Sequence, residues 1–256
     1  MGRKKKSLSE KVETEAVAKS GGGLRQKVRK TRVRNKSYVM DLRIHSPASL
    51  GYLGIEGIDT APAMVRLAKV KGLDVIAVTD FYSGEFIDRV THAAKESPLT
   101  VIPGVVIRCS LGDCDDVVLS CLFPESFGRE GIEDFLLALK IPRSRFGNKD
   151  YVVKCAFDEI LKHVEKFDGA VLPSRMDKTP NRLRVIPTLV EEYGFRAFDL
   201  AYADSQKYFK ERWPKKKFQL FSFSNANALA QVGSRIAKVK MPDSDFSAVR
   251  NLVARD

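Results

Sequence analysis

The chain has 256 residues, 44% of them apolar, which suits one large α/β domain or two small ones. No apolar run approaches the ~18 to 20 residues that span a bilayer, and no apolar signal segment opens the chain, so a cytoplasmic protein with no membrane partner is expected. The net charge of +12 is uneven: residues 1–36 carry thirteen Lys or Arg against three Glu, and the remainder is nearly neutral.

The basic arm, residues 1–36, has few large apolar side chains and is expected to be flexible, with a joint at "SGGG", 20–23. Within it "LSEKVETEAVAK" predicts a weak helical turn, on Ser9, Glu13 and Lys19. Its cations Arg3, Lys4, Lys5, Lys6, Arg25, Lys27, Arg29, Lys30, Arg32 and Arg34 can neutralise phosphates without reading bases. Nucleic acid or another polyanion is the expected contact, and a solubilising tail is the alternative.

Residues 37–256 read as one domain of alternating strands and helices. "YVMDLRI" predicts a strand, "APAMVRLAKVKG" a helix with Pro62 near its start and Gly72 at its stop, and "LDVIAVTD" a buried strand. A helix over "SGEFIDRVTHAAKES", strands over "LTVIPGVVIRC" and "DDVVLSCLF", and a helix near "GIEDFLLALK" follow. Beyond a polar loop come the helix "AFDEILKHVEKF", the strand "GAVLPS" and a helix interrupted at Pro187. Strands over "FRAFDLAY" and "FQLFSFS" flank a helical "DSQKYFKERW", and "SRIAKVK" and "SDFSAVRNLVAR" predict a last strand and helix. This order predicts a parallel sheet or barrel with chemistry at the C-terminal strand ends. The four cysteines, Cys109, Cys114, Cys121 and Cys155, form no CxxC pair and are expected to be reduced and inert.

Five strand ends stand out: "DLRIHS" (41–46), "VTDF" (78–81), "IPGVVI" (102–107), "VLPSRMDK" (171–178) and "FSNAN" (223–227). In order and spacing the series resembles the PHP family, the polymerase and histidinol phosphatase domain, over about residues 38–240. That family carries D-L-H-x-H-S, A-x-T-D-H, P-G-x-E, a later histidine and S-D-A-H. The resemblance implies a distorted βα barrel, related to the TIM barrel. In active members it also implies a cluster of divalent metals that hydrolyses phosphate esters.

Carried over position by position, the ligand pattern falls on Arg43, His45, Asp80, Phe81, Val106, Arg175, Asn225 and Asn227. Only His45 and Asp80 keep a ligand type, and a guanidinium cannot ligate a divalent metal. The other histidines, His92 and His163, lie in predicted helices. The expectation is therefore a catalytically inactive scaffold or binding module, with no metal or cofactor, that serves a protein partner or a multi-subunit assembly. The alternative is a metal-dependent phosphoesterase, phosphatase or nuclease, with a reduced metal site. Arg43 and Arg175 are expected to pair with Asp80, Asp41 or Asp199. Arg43, Arg175, Lys178 and Arg182 could instead bind an anion, although Lys178 and Arg182 also suit solvated surface positions. "GYLGIEGIDT" (51–60) reads as a rim loop, and "KYFKERWPKKKF" (207–218) as a contact surface or an amphipathic helix with a lysine turn.

Overall fold

The structure, a computed structural model, describes residues 35–256 throughout and the backbone of residues 10–13 and 29–32. The two short segments are β1 (Glu10–Glu13) and β2 (Arg29–Arg32), paired antiparallel with Glu10 opposite Arg32. Residues 10–13 are thus extended where a helical turn is predicted; the β-branched Val12 and Thr14 weaken a helix there. The predicted flexibility of the rest of the arm, and its phosphate contacts, lie outside the described residues.

The body is built on a curled six-stranded sheet, a half-barrel in outline. Its strands are β3 (Lys36–Ile44), β4 (Val75–Phe81), β5 (Thr100–Leu111), β6 (Cys114–Leu122), β7 (Ala170–Pro173) and β10 (Ala237–Met241), in spatial order β10-β3-β4-β5-β6-β7. A two-stranded parallel sheet of β8 (Ala197–Asp199) and β9 (Gln219–Phe221) stands apart. Single bridges, Ser174 to Asp199 and Ile44 to Ala226, tie it to β7 and to β3. Only β3, β4 and β5 run parallel within the large sheet. β6 is antiparallel to β5 and β7, and β10 to β3, which corrects the expectation of an all-parallel sheet. The reason is local. Only Gly112, at φ +55°, and Asp113 separate β5 from β6, and a two-residue loop can close only an antiparallel hairpin.

The helices form where the apolar period allows. In α1 (Thr60–Val70) the buried Ala61, Met64, Val65 and Ala68 fall on one face. Asp59 caps its N-terminus through the Ala61 amide, and Gly72 at φ +70° ends it. α4 (Phe157–Lys166) repeats the pattern with Phe157, Ile160, Leu161 and Val164. The predicted break near Pro187 divides α5 (Pro180–Arg184) from α6 (Ile186–Glu191). The remaining helices are α2 (Ile87–Ala94), α3 (Gly128–Ala138), α7 (Gln206–Arg212) and α8 (Phe246–Val253). The sheet is buried on both faces. Along β4, Val75 and Ala77 join one apolar cluster while Ile76 and Val78 join the other, the period-two alternation of a strand.

Candidate functional site: a cationic mouth

The end of β3 and the segments after β7 and β9 converge on one cleft of about 340 Å³. At its base lies Arg43, 2% exposed. Its Nε donates to Asn225 Oδ1 at 2.6 Å and its Nη1 to Ser120 Oγ at 3.2 Å. Asp199 Oδ2 stands 3.9 Å from Nη1, near enough for ion pairing but too far for a hydrogen bond. That carboxylate oxygen is buried and has no hydrogen-bond partner. Burial pushes the Arg43 pKa down to about 10 against the pull of Asp199, so the group stays cationic at neutral pH. The guanidinium is held on one side, and Nη2 makes no hydrogen bond among the described residues.

Further cations line the same cleft: Arg108, Lys149, Arg175, Lys178 and Arg182. Asp116 bridges two of them. It accepts from Arg182 Nη2 at 2.6 Å and Nε at 3.0 Å, and from Arg108 Nε at 2.7 Å. Arg175 has no ion-pair partner among the described residues, and its backbone is left-handed at φ +54°. Asn225, which fixes Arg43, is left-handed too, at φ +50°. Non-glycine residues in that region cost about 1–3 kcal/mol, and such strain gathers at functional sites. Lys178 also lacks an ion pair, and burial, Arg175 and Arg182 lower its pKa. The four residues considered for anion binding from sequence, Arg43, Arg175, Lys178 and Arg182, therefore share one cleft.

The facing wall is uncharged. The His45 ring stacks on Phe81 at 5.3 Å between centroids and 10° between planes, with Asn225 and Asn227 beside it. Burial, then Arg43, pushes the His45 pKa down to about 3, so the imidazole is neutral at physiological pH. Val106 is fully buried in register with Phe81 and Ser120.

Asp80 does not pair with either arginine, which corrects that expectation. Its carboxylate accepts from the Ser46 amide at 2.7 Å, from Ser46 Oγ at 2.5 Å and from Ser49 Oγ at 2.6 Å. Two serines at the tip of β3 thus claim the oxygens that a distant guanidinium would have needed. Asp41 likewise pairs with neither guanidinium, and it accepts the backbone amides of Arg43, Ser224 and Gly233. Sequence reasoning missed Arg108, Asp116 and Lys149. The β5–β6 hairpin delivers the first two, and Arg108 Nη1 holds the carbonyl of Lys149 at 3.0 Å. The signal available was Arg108 itself, two residues beyond the P-G-x-E match.

The other expectations sort simply. Loop 51–59 lies at the rim, with Leu50 and Gly51 lining the cleft. In 207–218 the aromatics turn inward: Phe209 is fully buried and Trp213 nearly so, packed with Phe218, which removes them as a contact surface. His92 and His163 lie in α2 and α4. Cys109, Cys114 and Cys121 are buried and unpaired, and burial raises the Cys155 thiol to about 11.

Neither a family model nor a curated protein matches the sequence. Solved structures do. Endonuclease PfuEndoQ of Pyrococcus furiosus, a lesion-specific endonuclease, superposes with a TM-score of 0.60 at 16% identity, over 85% of this chain and 56% of that one. This chain shares its fold with endonuclease Q. It spans little more than half of that enzyme's length. A Bifidobacterium adolescentis protein assigned as a metal-dependent phosphoesterase matches with a TM-score of 0.52 at 13% identity, over 83% of this chain and 94% of that one. An amidohydrolase from Chromobacterium violaceum, solved with bound sulfate and no metal, matches at 0.56 and 11% identity, over 84% and 97%. The PHP-like fold expected from the strand ends is therefore found. The expectation of a chain without enzymatic activity is overturned, because these neighbours are an endonuclease, a phosphoesterase and an amidohydrolase. That expectation equated lost metal ligands with lost chemistry.

The donor set does not fit a cluster of divalent ions. Among the described residues no three His, Cys, Asp or Glu side chains come together to hold one. Asp80 is occupied by serine donors, and the Arg43 guanidinium stands beside His45. Among the described residues no helix is long and apolar enough to cross a membrane.

Proposed function

We propose that the protein acts on phosphate esters and receives the phosphoryl group in the cationic mouth. The observation that carries this reading is a buried, pinned Arg43 with one edge free, facing the same cleft as an unpaired Arg175. Two guanidinium forks suit the oxygens of a phosphoryl group, and Lys178 adds a point charge. Held in advance by Asn225, Ser120 and Asp199, Arg43 needs little reorganisation as negative charge develops on those oxygens, which is where electrostatic catalysis acts. The kinship of fold to an endonuclease and a phosphoesterase supports the same reading, as does a structure of this fold that holds sulfate without metal.

The test is hydrolysis of a chromogenic phosphodiester and a phosphomonoester, each with chelator and with added manganese, beside calorimetry with inorganic phosphate. Wild-type protein should bind phosphate and turn over at least one ester. Arg175→Ala should weaken both by roughly ten- to a hundredfold, the ~1.5–3 kcal/mol of a charged hydrogen bond, at unchanged thermal stability. Background turnover under every condition, together with no phosphate binding, would end the proposal.

A further inference from the structure

A second cavity, of about 530 Å³, opens between α3, α4 and the loop before α4. Its floor is apolar, with Leu139 and Tyr151, and its rim carries Lys140, Lys154, Lys162 and Lys166. None of these lysines forms an ion pair with a described carboxylate, and Glu159 is the one acid in the lining. The Glu159 carboxylate accepts from Cys155 Sγ at 3.2 Å. All four lysines are exposed, so their charges stand free in solvent around an apolar hollow.

Along the chain this cavity follows directly on the mouth. Lys149 and Asp150 line the mouth, and the next residue, Tyr151, lines the second cavity. Arg108 anchors the joining segment at both ends, holding the Lys149 carbonyl through its side chain and accepting from the Val153 amide at 2.8 Å on its backbone. Over that segment the Arg145 guanidinium sits 5.8 Å from the centre of the Tyr151 ring. The cations of the two linings, Arg175, Arg108 and Lys149 and then Lys154, Lys162 and Lys166, can be joined in one line across that segment, with Tyr151 between them.

We infer that this line is a track for single-stranded nucleic acid, with one phosphate in the mouth and the neighbouring phosphates on the lysines of the second cavity. The inference rests on the phosphate-ester reading of the mouth and names its substrate class as a polynucleotide. Lysines neutralise backbone phosphates without regard to sequence, while an apolar, tyrosine-bearing hollow accepts bases through their faces. A small phosphate ester would use the mouth alone. An acidic polypeptide would use the lysines but gain nothing from the ring.

The experiment is fluorescence anisotropy of the full chain with labelled 12-nucleotide single strands, titrated against salt. The variants are the triple Lys154→Glu, Lys162→Glu, Lys166→Glu, then Tyr151→Leu, and Arg175→Ala. The triple variant should weaken binding by roughly tenfold or more and lower the slope of log affinity against log salt by about 2, at ~0.7 per phosphate contact. Its affinity for inorganic phosphate should be unchanged, and Tyr151→Leu should weaken the oligonucleotide but not phosphate. Phosphate binding intact, with oligonucleotide affinity and slope unchanged in the triple variant, would overturn the track and leave the mouth standing. Poly-glutamate competing as well as the oligonucleotide would also overturn it, in favour of an acidic protein. No phosphate binding by wild type, with an oligonucleotide still sensitive to the triple variant, would instead overturn the reading of the mouth.

Discussion

At the scale of single residues, the mouth is organised by buried carboxylates. Asp80 is fully buried, and burial raises its pKa, opposed by the serine hydrogen bonds. Its two oxygens accept three donors from Ser46 and Ser49, and those serines shape the turn that leaves β3 beside His45. Asp80→Ala would strand one backbone amide and two hydroxyls in the interior, at about 1–3 kcal/mol for each group that water cannot reach. Three such groups imply a loss of at least about 3 kcal/mol, read as a lower urea midpoint at unchanged slope. Asp80→Asn keeps one acceptor oxygen and should lose clearly less. Equal losses in the two variants would mean that the serines find other partners. Arg43 is built on the same logic with opposite sign: Asn225, Ser120 and Asp199 fix the charge, and one edge makes no hydrogen bond among the described residues.

Among the elements, the hairpin of β5 and β6 does most to place the cations, since it carries Arg108 and Asp116 and lies between β4 and β7. Gly104 sets how closely those strands approach. A methyl group there would lie 2.8 Å from Thr79 Cγ2 and 3.0 Å from both the Cys121 carbonyl and Leu122 Cδ2. Gly104→Ala should therefore cost about 1–3 kcal/mol by overpacking, seen as a lower melting temperature, and should loosen the strand that bears Arg108. The strands and helices themselves were legible in the sequence, because the β4 run "VIAVTD" and the α1 and α4 apolar stripes carry their periods in the residues. Strand direction was not legible, since period says nothing of pairing and only the two-residue turn at Gly112 betrays the hairpin. The site was half legible. Motif positions marked Arg43 and Arg175, and Lys178 and Arg182 follow the second of them closely in the chain, but Asp80's partners are settled by serines whose reach depends on the turn after β3. The second cavity has no motif, because its lysines come from α4 and from separate loops that only the packed fold brings together.

For the whole molecule, the buried acids and buried His45 make stability depend on pH in opposite directions, while ligand binding should follow the acids. Burial is the largest cause that raises both Asp41 and Asp199 from the ordinary 3.8 to about 6; Ser224 opposes it in the first and Arg43 in the second. The folded state then binds protons more tightly than the unfolded chain, so their contribution is fully present below pH ~4 and is lost as pH rises through 6. Asp80 shifts the same way. Glu133, lowered by Arg129 and Arg143, acts oppositely but only below its ordinary 4.5. Between pH 7.5 and 5.5 His45 opposes these acids, because it is lowered from 6.5 to about 3 and only the unfolded chain gains its proton there. Asp41, Asp80 and Asp199 push the melting temperature up on acidification and His45 pushes it down, each by about 2–4 °C per kcal/mol at this chain length. Asp199→Asn lacks one stabilising contribution, so its melting temperature should fall relative to wild type as pH drops from 7.5 to 5.5. The same protonation should be felt in the mouth. Neutralising Asp199 removes the one carboxylate that faces Arg43, while His45, already neutral at pH 7.5, does not titrate in this range. A phosphodiester keeps its single charge across the range, so its affinity should rise as pH falls from 7.5 to 5.5 in wild type and stay level in Asp199→Asn. An affinity that falls on acidification would mean that Asp199 supports the Arg43 geometry more than it masks the Arg43 charge.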